Sequence, residues 1–156
     1  MKILITYDSV SPNRNTEKIA NAMGEVLRGK GFEVDCPDVT HVDNSTVKNY
    51  DCVLAGSPTM AFTATIPIKE FLEGFAPNEF SGKFAAAFDT RVKSRISGAA
   101  AKGIQKRLEK LGFKIAMPSL AAYLEGNTGK NDFQLKEGEL EKAKKYAEDL
   151  AQAIQT

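Results

Sequence analysis

The chain has 156 residues, 42% hydrophobic and 26% charged, with a formal net charge of +1; that length suits one buried core, and the composition excludes a disordered chain. A charge this close to zero gives no bulk attraction to nucleic acid or to an anionic membrane surface, and apolar runs such as Phe84–Phe88 are too short to span a bilayer. Cys36 and Cys52 make neither a disulfide framework nor a Cys-x-x-Cys pair, and Met1–Tyr7 lacks a signal-peptide layout. The expectation is a single domain over residues 1–156 in a reducing cytoplasm.

Lys2–Tyr7 predicts a first strand. From Thr16 the residues Ile19, Met23, Val26 and Leu27 recur at helical spacing, and Gly29 and Gly31 end that helix. Phe32–Cys36 predicts a short second strand stopped by Pro37; Asp38–Tyr50 reads as a polar connection with one short helical turn. Cys52–Gly56 predicts a third, continuously apolar strand. Ile66–Phe75 predicts a helix with Ile68, Phe71, Leu72 and Phe75 on one side and Pro67 tolerated in its first turn. Phe84–Phe88 is a fourth strand. Ala99–Leu111 is a helix with Gly112 placed for a C′ glycine. Phe113–Tyr123, interrupted by Pro118, is a fifth strand region, and Glu137–Gln155 a final helix aligning Leu140, Ala143, Ala147, Leu150 and Ile154. Strands alternating with amphipathic helices imply an α/β three-layer α/β/α sandwich around a parallel sheet. Such sheets bind ligands outside the carboxyl ends of their strands.

Three loops lie at those ends. Asp8–Thr16 offers hydroxyls and amides and then a helix N-terminus, a combination that binds phosphate without a lysine; the same residue types also serve as plain helix caps. The loop after Gly56 carries Met60 and Phe62, whose exposure is costly unless they cover a planar ring or the flank of the core. Asp89–Gly98 carries Arg91, Lys93 and Arg95, which are either solvated or meet an anionic ligand. His41 reads as a surface residue rather than a metal ligand. Gly56-Ser57-Pro58 lacks the acceptor aspartate of a phospho-receiver, and no Ser, His and Asp assemble into a nucleophile–base pair.

Tyr7-Asp8-Ser9 followed by Asn15-Thr16-Glu17-Lys18-Ile19-Ala20 resembles the flavodoxin phosphate loop. Tyr50–Thr59 resembles that family's third strand and the start of its flavin loop, Ile68–Leu72 its next helix, Lys83–Phe88 its fourth strand and Leu108–Phe113 its following junction. The resemblance covers nearly the whole chain. It implies a flavodoxin-like five-stranded parallel sheet of order 2-1-3-4-5, noncovalent FMN, and electron transfer with a redox partner protein, by a monomer or homodimer. It places the flavin phosphate on Ser9, Ser11, Asn13, Asn15 and Thr16, with Arg14 as a further contact. The ring falls between Pro58, Thr59, Met60, Ala61 and Phe62 on one side and Asp89, Thr90, Arg91 and Val92 on the other. An NAD(P)H-dependent FMN or quinone reductase on the same fold, and an interaction module with weak or no FMN binding, stay open as alternatives.

The chain departs from the family pattern at specific points. The phosphate loop is longer by two residues, and Arg14 stands where glycine is usual. Met60 replaces an aromatic residue, and the fourth-strand loop lacks the frequent tyrosine, so that one face of the flavin is either covered by Val92 or left open. The cations of the fourth-strand loop imply a less negative potential for the reduced flavin than in acidic flavodoxins. Ser97 and Gly98 are placed to close the site or start the next helix, and Leu124–Asp132 reads as a flap or partner surface.

Overall fold

In the computed structural model, which describes residues 1–94, 98–127 and 132–155, the apolar runs form one sheet. Its strands are β1 (Lys2–Tyr7), β2 (Glu33–Asp35), β3 (Cys52–Pro58), β4 (Phe84–Val92), β5 (Lys114–Ile115), β6 (Leu120–Asn127) and β7 (Asp132–Leu135). The helices are α1 (Asn15–Gly29), α2 (Ile66–Glu73), α3 (Ala100–Lys110) and α4 (Glu139–Gln155), and two short 3-10 turns at Val39–His41 and Asn44–Asn49 fill the polar connection before β3.

The strand order is β2-β1-β3-β4-β6-β7, with β5 also paired to β4. All pairs are parallel except β6 with β7. The expected order 2-1-3-4-5 is present, with its fifth strand in two pieces: Lys114 and Ile115 pair with the start of β4, and Leu120–Leu124 with its end. The gap between the pieces holds Pro118, which has no N–H to give a ladder. Period-two alternation sorts the side chains. Ile3, Ile5, Leu54 and Phe88 pack under α1 and α4, whereas Leu4, Val53, Ala55, Ala85 and Ala87 pack under α2 and α3. Gly56 has a packing reason to be glycine. It pairs with Phe88 across β3 and β4, and a Cβ there would lie 2.1 Å from the Phe88 ring.

Three expectations need correction at the site. Strand four does not stop at Phe88, so Asp89, Thr90, Arg91 and Val92 are the end of β4 rather than a loop. Their ladder with β6 holds them extended: Phe88 pairs with Leu120 and Val92 with Leu124. Likewise β3 runs on to Pro58. The segment read as a flap is largely a hairpin, because Leu124, Glu125, Gly126 and Asn127 pair with Leu135, Gln134, Phe133 and Asp132; its residues 128–131, and Arg95 and Ser97 in the loop after β4, lie outside the described residues. Among the described residues no helix is long and apolar enough to cross a membrane.

Candidate functional site

The loop after β1 leaves the sheet in order. Asp8 N–H donates to the Gly56 carbonyl at 3.2 Å, and Arg14 N–H closes a turn on the Ser11 carbonyl at 3.0 Å. Arg14 then takes φ 52° and ψ 46° to start α1. A side chain in this left-handed region costs roughly 1 kcal/mol. Its guanidinium is held from three directions. Nε donates to Glu17 Oε2 at 2.9 Å, Nη1 to the Ser9 carbonyl at 3.1 Å, and Nη2 lies 3.8 Å from Asp38 Oδ2. Glu17 also accepts from the Tyr7 hydroxyl at 2.8 Å. The bond from Arg14, then that from Tyr7, holds the Glu17 carboxyl below its ordinary range. Burial, reinforced by Glu17, pushes the Tyr7 hydroxyl up. Arg14 thus keeps the glycine-like backbone of the loop while its charge is spent on Glu17 and Asp38.

No side chain caps α1, so of the two readings of this loop the capping one has no counterpart in the structure. The Ser9 hydroxyl and Asn15 Oδ1 are buried without a hydrogen-bond partner. Asn13 Nδ2 donates to the Phe133 carbonyl and, at 3.3 Å, to Asp132 Oδ1; Asn15 Nδ2 donates to the same Phe133 carbonyl at 3.0 Å. The β6–β7 hairpin therefore anchors the loop, a contact that the sequence reading missed. Its signal was the alternation Asp132-Phe133-Gln134-Leu135, which has a strand's period. On the cavity side, Thr16 Oγ1 and Thr90 Oγ1 lie 2.9 Å apart, joining the first turn of α1 to β4.

The opposite wall comes from β3. Thr59 N–H donates to the Thr90 carbonyl at 2.9 Å, and Met60 and Thr63 exchange backbone hydrogen bonds of 2.8 and 3.0 Å. Between them Ala61 and Phe62 have φ of 47° and 74°, a turn that ordinarily takes Gly or Asn at both central positions. Gly98, at φ 74°, packs on that turn, and a Cβ there would sit 2.6 Å from Phe62 Cα. Ser57 Oγ accepts from Thr65 N–H at 3.0 Å and fixes the base of the loop. Met60 is 51% and Phe62 65% exposed, with Val10 and Val92 also open to solvent. Neither Met60 nor Phe62 covers the domain's own core.

Between these walls lies a cavity of about 340 Å³. It brings together Ser11, Asn15 and Thr16 with Pro58, Thr59 and Met60, and with Thr90, Arg91 and Val92, and adds Val10, Leu124 and Phe133, which the sequence did not single out. Ser9 is buried in the adjoining loop, Asn13 and Arg14 turn to the hairpin and to Glu17, and Ala61 and Phe62 form the outer turn. Asp89 does not join them. Strand alternation directs it to the α3 side, where its Oδ2 accepts from Ala101 N–H at 2.9 Å in the first turn of that helix. Burial raises its carboxyl, opposed by that N–H and by Arg91. The Arg91 guanidinium follows it, with Nε 3.7 Å from Asp89 Oδ1 and Nη1 donating to the Gly98 carbonyl at 3.1 Å. His41 is exposed, and no cluster of metal-ligating side chains occurs among the described residues.

A doubly wound parallel sheet, with a polar loop entering an uncapped helix and a cavity across the carboxyl ends of β1, β3 and β4, defines a cofactor-binding α/β protein of the switch-point type. The flavodoxin family model matches residues 5–146, and the chain belongs to the flavodoxin family. Members of that family are FMN-binding electron-transfer proteins that work with redox partner proteins. A relative described as probable flavodoxin 1 of Bacillus subtilis (strain 168) is 40% identical over 58 residues, a match spanning 37% of this chain and only 35% of that protein. Among solved structures, a flavodoxin from the domain Archaea superposes with a TM-score of 0.82 at 23% identity over the whole of both chains. Oxidised flavodoxin 1 from Bacillus cereus does so with 0.79 at 19% identity, over 97% of this chain and 98% of that one. The rubredoxin:oxygen oxidoreductase of Desulfovibrio gigas contains the same fold in 36% of its length, matching 99% of this chain with a TM-score of 0.77 at 22% identity.

Proposed function

We propose that this chain is a cytoplasmic, single-domain FMN-binding electron carrier that holds the flavin phosphate in the loop after β1. The observation that carries the reading is the start of α1: the helix has no side-chain cap, and the buried Ser9 hydroxyl beside it has no partner. Unsatisfied first-turn N–H groups with a hydroxyl donor are the chemistry a phosphate dianion needs. Asn15 Oδ1 is an acceptor and suits a ribityl hydroxyl rather than a phosphate oxygen. The Thr16–Thr90 pair uses one hydroxyl hydrogen between its own oxygens and leaves the other to turn into the cavity. Ser11, Asn13 and the neighbouring backbone shape the cradle, and Met60 and Val92 flank the ring. Bound FMN supplies the one- and two-electron chemistry; the residues bind it, orient it and exclude water.

Titration of the purified chain with FMN and with riboflavin, read by flavin fluorescence, tests the reading. Expected is binding of FMN at least about a hundredfold tighter than riboflavin, from several charge-assisted hydrogen bonds to phosphate. Equal affinities would place the phosphate outside the loop, and no binding of either would overturn the assignment.

A further inference from the structure

Beside the cofactor cavity lies a second hollow of about 660 Å³, lined by Arg91, Lys93, Ser94, Gly98, Ala99, Lys102 and Tyr123. Arg91 borders both, so the hollow abuts the cavity across one side chain. Cations gather on its aromatic floor: Lys142 Nζ lies 4.5 Å, Lys93 Nζ 5.4 Å and Arg91 Cζ 5.8 Å from the Tyr123 ring centre.

The matching carboxylates are sunk. Asp89, which pairs with Arg91, is fully buried, and Glu139, which pairs with Lys142 at 2.7 Å, is 9% exposed and also accepts from Tyr123 N–H. Lys93 and Lys102 are exposed and form no ion pair among the described residues. Glu125, two positions beyond Tyr123 on the same strand face, is an exposed carboxylate on β6. A molecule approaching the hollow meets positive charge at the surface and negative charge beneath it, although the whole chain carries only +1. Exposed Phe62 is bridged to Gly98 at the edge of the hollow, and exposed Val92 lies between Arg91 and Lys93 in the chain, so apolar surface borders the charged groups as in a transient interface.

We propose that the β4–α3–β6 corner is a docking face for an acidic partner protein, which approaches the cofactor mouth by placing carboxylates against Lys93, Lys102 and Arg91. The inference rests on the proposed FMN site for its purpose but not for its test.

Acidic cytochrome b5 and basic cytochrome c serve as probes, titrated calorimetrically against the chain with and without FMN at low and at high salt, and then against the variant K93E/K102E. Expected is binding of cytochrome b5 that weakens as salt rises and falls by about tenfold in the variant at low salt, with cytochrome c weaker than cytochrome b5. In the FMN-loaded, photoreduced chain the electron-transfer rate to cytochrome b5 follows the same pattern, while the FMN affinity of the variant stays that of the parent. Cytochrome b5 binding that is absent, insensitive to salt or unchanged in K93E/K102E overturns the docking face. A chain that binds cytochrome b5 as described yet takes up no FMN overturns the function proposed above and leaves the face standing.

Discussion

Arg14 and Glu17 are joined at 2.9 Å across the first turn of α1, and the arginine makes that bond from a left-handed backbone. The pair explains how a residue with a long cationic side chain occupies a glycine-like position at the start of α1. Its charge is drawn sideways to Glu17 and Asp38, and its backbone alone shapes the loop.

Arg14→Gly is therefore expected to leave FMN affinity within about threefold of the parent, because relief of roughly 1 kcal/mol of backbone strain offsets loss of the clasp. Arg14→Ala keeps the strain and loses the clasp, and should bind FMN more weakly than Arg14→Gly. Fluorescence titration of both variants checks the order; a tenfold or greater loss in Arg14→Gly would show that the guanidinium meets the phosphate.

Ser9→Ala separates binding from folding. The buried hydroxyl has no partner, so its removal should leave the apo chain as stable as the parent or slightly more so. FMN binding should weaken by about tenfold, for one hydrogen bond to a charged group. Urea denaturation without FMN and a flavin titration give the two numbers.

Glu17 makes the apo chain's stability pH-dependent in a defined direction. Its folded carboxyl is held low by Arg14 and Tyr7, so the stability it contributes is present above the unfolded glutamate value of about 4.3. That contribution is lost as pH falls through the lower folded value. Denaturation of parent and Glu17→Gln without FMN should differ at pH 7 and converge at acid pH. A difference that grows on acidification would contradict the network.

Thr16 and Thr90 should behave as a coupled pair. Thr16→Val strands the buried Thr90 hydroxyl and Thr90→Val strands that of Thr16, each costing about 1–2 kcal/mol. The double variant removes both polar groups and should cost clearly less than the two singles added. Additive losses in a double-mutant cycle would mean that the 2.9 Å contact contributes little.

Gly56→Ala is expected to be the most damaging small change, by about 3 kcal/mol or more, because the new Cβ overlaps the Phe88 ring in a two-sided sheet. Phe88→Leu in the same chain should restore part of the loss. Thermal or urea unfolding of the single and double variants decides it.

Sequence periodicity alone determined the layered α/β architecture and where the ligand loops stand, because alternating apolar strands and one-sided helices have few ways to bury themselves. The polar Asp8–Thr16 loop was legible for the same reason, as hydroxyls and amides before a helix start. Tertiary structure decided which of those residues face the cavity. Asp89 looked like a loop residue until the ladder with β6 extended β4 to Val92 and strand alternation turned the carboxylate under α3. The guanidinium of Arg14 meets Glu17, Ser9 and Asp38, partners that the local sequence did not announce. The hold of Phe133 on Asn13 and Asn15 spans more than a hundred residues of chain, with separations of 120 and 118. Local pattern carries no record of such a contact: long-range pairing depends on which edges the folded sheet leaves open, and only the assembled sheet sets that.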